Sequence, residues 1–181
     1  RGYNVYKYLL KKKEYKIDIY LCKKNLNKSL FSKLNKFKLI KIFDNSFIKN
    51  FKKKNYFLNI SAGWPLKFPS ELINSSIKGT INLHAGKLPE YRGGSPLNWQ
   101  IIEGKKKIFV SIIKMTKNFD RGPIYLQKSF NLSPSEDIKD AHKKVNKAYP
   151  LMTYKVIQKI IKNVKPIKQS SKNARYKYQR K

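Results

Sequence analysis

The 181-residue chain predicts an α/β fold, a mostly parallel sheet flanked by helices. Three observations lead there. Through the first half, short β-branched and aromatic runs alternate with helix-period segments of about ten residues, the pattern of parallel strands joined by crossover helices. The apolar runs ending at Ser61 and His84 each open directly into a loop rich in Gly and Pro. In the second half, two further strand-like runs precede a long helix-period stretch that starts near a capping signal at Ser133.

The elements follow in order. Tyr3–Lys13 carries Val5, Tyr8 and Leu9 at helical spacing. Lys16–Cys22 alternates apolar and polar residues and reads as a strand; Cys22 is its buried end. Lys28–Lys36 predicts a short helix with Leu30, Phe31 and Leu34 inward, and Leu39–Phe43 a second strand. Asp44 or Ser46 can cap a helix running to Lys52. Tyr56–Ser61 is a third, apolar strand, Pro69–Ile73 one helical turn, and Gly79–His84 a fourth strand. Ser95–Glu103 predicts a helix with Pro96 in its first turn. Lys107–Thr116 and Pro123–Phe130 are strands of a hairpin or meander. Ser133 and Glu136 form a capping box for a helix toward Ala148, which Pro150 breaks or kinks before a second segment, Leu151–Lys162. Open sheets of this kind bind ligands beyond the carboxyl ends of their strands, where the loops Ala62–Leu66 and Ala85–Ser95 fall.

Composition excludes several classes. No run of 18 apolar residues is present, so membrane insertion is not expected. The first residues show no apolar signal core, and a lone cysteine forms neither an internal disulfide nor a cysteine-rich zinc cluster; a cytoplasmic setting fits both. The net charge of +32 invites a nucleic-acid reading. Yet only five of the 42 basic residues are Arg, the residue whose planar fork pairs best with phosphates and bases, and the lysines are scattered rather than gathered in a stripe. A Lys-rich chain that is also rich in Asn, Ile, Tyr and Phe is what AT-rich coding produces.

The chemistry lies in two places. Asn82 and His84 sit two residues apart at a strand end, so both side chains leave the same face, with Ile81 and Leu83 turned to the core. Asp120 lies in the turn between the two later strands. An Asn amide can donate to a carbonyl oxygen as charge develops on it, a His can hydrogen-bond that oxygen or carry a proton, and an Asp can orient the His or accept a proton from an attacking amine. That set suits acyl transfer to an amine without a Ser or Cys nucleophile. Each residue alone has an ordinary reading: a packed His, a turn Asn, a turn-capping Asp. The other histidine, His142, reads as a solvated or packing residue of the long helix. No Gly-rich phosphate motif and no metal-ligand cluster is visible in the sequence, so no metal is expected.

The run N-L-H-A-G-K-L-P-E-Y-R-G-G-S-P at 82–96, followed by F-D-R-G-P-I at 119–124, resembles the catalytic domain of folate-dependent formyltransferases, the family of methionyl-tRNA formyltransferase and the amino-sugar N-formyltransferases. The resemblance covers roughly Tyr56–Gln127. It implies a Rossmann-like domain over 1–164, with a first strand belonging ahead of Arg1, and a basic tail or linker over 165–181. It implies 10-formyltetrahydrofolate as formyl donor and Asn82, His84 and Asp120 as catalytic residues. Ser61, Ala62, Gly63, Trp64 and Pro65, with Leu88 and Pro89, would line the folate pocket; Tyr91, Arg92, Gly93 and Gly94 would form the substrate loop. His84 is followed by Ala85-Gly86 where the tRNA enzymes usually read differently, so the resemblance leans toward a nucleotide-linked amino sugar as acceptor. Methionyl-tRNA, assembly as a homodimer and a non-catalytic RNA-binding role stay open as alternatives.

Overall fold

A computed structural model describes residues 1–25, 34 and 36–178. The helix expected over Lys28–Lys36 lies, apart from Leu34 and Lys36, outside the described residues. The chain begins with α1 (Gly2–Leu10) and β1 (Tyr20–Cys22), which pairs in parallel with β2 (Lys38–Ile40). The Asp44 side chain accepts from the Phe47 N–H at 2.7 Å and so caps α2 (Asn45–Lys52), one of the two caps the sequence offered. A four-stranded sheet then forms in the order β3 (Asn59–Ser61), β4 (Thr80–His84), β6 (Lys107–Lys114), β7 (Ile124–Asn131). The single turn α3 (Ser70–Ile73) joins β3 to β4. The pair β3–β4 is parallel, whereas β4–β6 and β6–β7 are antiparallel. The sheet is therefore parallel in its first half and antiparallel where the predicted hairpin joins. Between the β1–β2 pair and β3 lies an apolar cavity of about 520 Å³.

One face of the four-stranded sheet is sealed by α1 and by α5 (Ile138–Ile161). Ile81, Leu83, Ile108, Val110 and Ile112 from the strands meet Val145, Tyr149, Met152 and Val156 from α5 and Val5 and Leu9 from α1. Each fully buried side chain of this size stabilises the fold by roughly 1.5–3 kcal/mol. This layer leaves the face of Asn82 and His84 free to build a site.

Two expectations for α5 need correction. Its cap is not Ser133 but Asp137, whose side chain accepts from the Lys139 and Asp140 N–H groups while Asp140 reaches back to the Asp137 N–H. Glu136 instead closes a local turn on Ser133. The hydrophobic face starting at Ala141 sets the helix start at this later position. Of the break or kink expected at Pro150, the break does not occur, for the helix runs unbroken to Ile161. The flanking buried residues Tyr149 and Met152 keep it seated on the sheet, offsetting the loss of one backbone hydrogen bond.

Residues 85–95 form a loop that ends in a short strand β5 (Arg92–Gly93), followed by α4 (Pro96–Ile102). After α5 the chain turns back: Ile167 bridges to Ile124, and β8 (Tyr176–Lys177) pairs in parallel with β5. The basic stretch beyond 165 is thus packed on the loop up to residue 178.

Candidate active site

Asn82 and His84 stand at the carboxyl end of β4, between Ser61 of β3 and the β6 residues Ile113 and Ser111. The predicted alternation holds: Ile81 and Leu83 are buried in the core, and the polar pair leaves the other face. Asp120 arrives from the β6–β7 turn. The three residues line one cleft of about 760 Å³, together with Ser61, Gly63, Trp64, Pro65, Gly93 and Gly94.

His84 is 5% exposed, and each ring nitrogen faces a protein oxygen. Nε2 lies 2.5 Å from the Tyr91 carbonyl oxygen. A carbonyl only accepts, so Nε2 carries a hydrogen. Nδ1 faces the Asp120 carboxylate at 3.6 Å, beyond hydrogen-bond range, so this nitrogen is the one left to exchange a proton. The same Asp120 oxygen accepts from the Gly93 N–H at 2.9 Å. Asp120 has φ 51, a left-handed conformation that costs a non-glycine residue roughly 1–3 kcal/mol and persists only where neighbours enforce it. The Asn82 amide is half-buried and makes no protein hydrogen bond among the described residues, so its donors are available to a ligand.

The loop that supplies Tyr91 and Gly93 is pinned by three glutamine and serine side chains the sequence did not single out. Ser111, opposite His84, donates to the Gly86 carbonyl at 2.7 Å. Gln127 donates to Ser111 Oγ and to the Leu88 carbonyl. Gln100, 1% exposed, donates to the Ala85 and Phe109 carbonyls and accepts from the Phe109 N–H. Gln100 and Ser111 are buried and Gln127 is half-buried, on a helix and two strands where apolar side chains are the rule, and that is the signal by which a sequence could have exposed them.

The structure divides the remaining predicted site residues. Gly63, Trp64 and Pro65 line the cleft; Trp64 stacks on Phe43 with ring centres 5.4 Å apart. Its buried Nε1 has no hydrogen-bond partner among the described residues. Ala62 faces the apolar cavity instead. Leu88 and Pro89 do not line the cleft: Leu88 is 4% exposed, and the two carbonyls are taken by Gln127 and by the Arg175 N–H. Tyr91 contributes only its carbonyl. Its hydroxyl donates to Glu103 at 2.5 Å, and burial, then that hydrogen bond, pushes its pKa up. Glu103 also pairs with Lys177, and these bonds hold its carboxyl below the usual range. Arg92 donates twice to Gln169 Oε1, at 3.1 and 2.8 Å; burial and then the nearby Arg121 charge lower its pKa. His142, read from the sequence as a solvated or packing residue, lines the same cleft, and burial followed by the Arg1 charge lowers its pKa.

Residues 7–157 match the family model described as Formyl transferase. Methionyl-tRNA formyltransferase of Bacillus velezensis is 32% identical over 120 residues, 66% of this chain and 38% of that protein. The enzyme of the same name from Malacoplasma penetrans is 29% identical over 161 residues, 86% of this chain and 51% of that one. The chain thus spans about two-fifths to one-half of these relatives' length. Among solved structures, a 4-N formyltransferase from Francisella tularensis superposes with a TM-score of 0.79 at 26% identity, covering 97% of this chain and 71% of that one. A sugar N-formyltransferase from Shewanella has the same fold, with a TM-score of 0.77 at 23% identity over 97% of this chain and 69% of that one. The matched residues take in β4, the cleft loops and the Asp120 turn, and the chain belongs to the formyl transferase family.

Proposed function

We propose that this chain transfers a formyl group from 10-formyltetrahydrofolate to a primary amine. The observation that carries the reading is the convergence of Asn82, His84 and Asp120 in one cleft, with an uncommitted amide on Asn82 beside a His–Asp pair. The cleft suits a folate in its volume and in its lining by Gly63, Trp64 and Pro65. In transfer, a bond forms between the amine nitrogen and the formyl carbon, and the bond from that carbon to the donor nitrogen breaks. One proton leaves the amine and one is delivered to the departing nitrogen. Asn82 donates to the formyl oxygen as charge grows on it, and His84 with Asp120 takes the proton the amine loses.

For the acceptor we favour a nucleotide-linked amino sugar, on the residues 85–99 that resemble the amino-sugar enzymes. A solved neighbour at 26% identity is a 4-N formyltransferase, which supports this reading. Methionyl-tRNA is the second reading, supported by the names of the curated relatives and by the charge of +32.

The test runs both acceptors, a dTDP-linked amino sugar and methionyl-tRNA, in parallel with 10-formyltetrahydrofolate and identifies the formamide by mass spectrometry. A formylated sugar supports the first reading, and formylmethionyl-tRNA alone replaces it with the second. If neither is formed and no folate binds, the proposal fails. With the active acceptor, His84→Ala and Asn82→Ala lower kcat by about 10²–10⁴-fold.

A further inference from the structure

Gln169 lies 49 residues beyond Asp120, in the stretch that follows α5, and its side-chain carboxamide uses every hydrogen-bonding position it has. The amide nitrogen donates to the Asp120 carbonyl at 2.8 Å and to the Gly122 carbonyl at 2.7 Å. The amide oxygen accepts from Nε and Nη2 of Arg92 at 3.1 and 2.8 Å. Asp120 is therefore gripped at both ends: Gly93 N–H holds its carboxylate and Gln169 holds its backbone carbonyl. Arg92 is the residue before Gly93, so a single side chain ties the turn that carries the acid to the strand that orients it. A left-handed Asp needs such enforcement, since nothing in its own conformational preference keeps it there. Only an amide of this length serves: Glu lacks the two donors, Leu lacks all four contacts, and Asn is one methylene too short.

We propose that Gln169 is a positioning residue for formyl transfer, holding the Asp120 turn so that its carboxylate stays against His84 and Gly93. The proposal rests on the formyl-transfer reading above and touches no substrate group itself. Misplacing a reacting group by about 1 Å can cost on the order of 10²-fold in rate, so the loss belongs in kcat rather than in folate binding.

Two variants separate the roles. Gln169→Leu removes every contact. Gln169→Glu keeps an oxygen toward Arg92 but turns an oxygen, not a donor, onto the Asp120 and Gly122 carbonyls. Both are expected to lower kcat by about 10- to 100-fold, with KM for 10-formyltetrahydrofolate within about twofold of the parent. Amide exchange of Gly93 N–H, which the Asp120 carboxylate protects, speeds up in both variants while exchange in β6 and β7 is unchanged. Parental kcat in Gln169→Glu, or a rise in KM with kcat unaltered, overturns the proposal and leaves Gln169 as an anchor for Arg92. If the parent chain transfers no formyl group, the functional reading fails, and the Gly93 exchange alone decides the clamp: unchanged protection in both variants refutes it.

Discussion

At the scale of single residues, the site is held by groups whose identity is fixed by contact rather than by chemistry. Gly122 follows the Asp120 turn by two positions, and a Cβ there would sit 1.6 Å from the Lys114 carbonyl oxygen. No rotamer relieves a clash with backbone, so Gly122→Ala is expected to destabilise the fold by at least ~3 kcal/mol or to shift the turn and abolish turnover. Gly104 is the control. Its Cβ would meet nothing within 4 Å, and only its φ of 64 opposes a side chain, so Gly104→Ala costs ~1 kcal/mol. Denaturant titration of both variants checks the contrast; equal losses contradict it. That Asn82 and His84 leave one face of β4 was legible from their spacing, because strand periodicity dictates the face of a side chain. Only the fold brings Asp120 of the β6–β7 turn into the same cleft. Gln100, Ser111 and Gln127 were not legible, since each acts on a loop distant in sequence and only the fold brings that loop to it.

Among the elements, what was legible is what local physics determines. β4, α4 and the β6–β7 hairpin follow from alternation and from Pro96 in a first helical turn, and all three stand where the sequence placed them. The later cap of α5 and its passage through Pro150 depend on packing against the sheet, which outweighs the local signal. The pairing of β8 with β5 joins residues more than 80 positions apart and leaves no periodic trace. Its latch is Glu103, bonded to Lys177 and Tyr91. The Glu103 pKa is lowered from 4.5 by those bonds, first that to Lys177. The folded state thus binds fewer protons than the unfolded one between the lowered and the ordinary value. The stabilisation is complete above about pH 4.5 and is lost as pH falls below it. Exchange of the Arg92 and Gly94 amides, which bond to the Arg175 and Lys177 carbonyls, should speed up through that window beyond the intrinsic change. Glu103→Gln should remove the step, and a step that persists in this variant contradicts the assignment.

For the whole molecule, one sealed face and one open face explain why a chain with so many lysines still folds around a polar cleft. The layer of α1 and α5 supplies the apolar burial, and the opposite face is left to the loops. A charge of +32 bears on the acceptor rather than on the fold. If the acceptor is a sugar nucleotide, few phosphates are engaged and its KM changes little between low and physiological salt. A tRNA acceptor engages many phosphates, and its binding weakens steeply over the same range. Beneath either acceptor lies the claim that Asp120 and His84 take the proton lost by the attacking amine. The most direct measurement is kcat for formamide production by Asp120→Asn, a change that keeps shape and removes the charge. Its kcat is expected to fall by about 10²–10⁴-fold with the folate donor still bound. A variant that forms the formamide at the parental rate would contradict that claim.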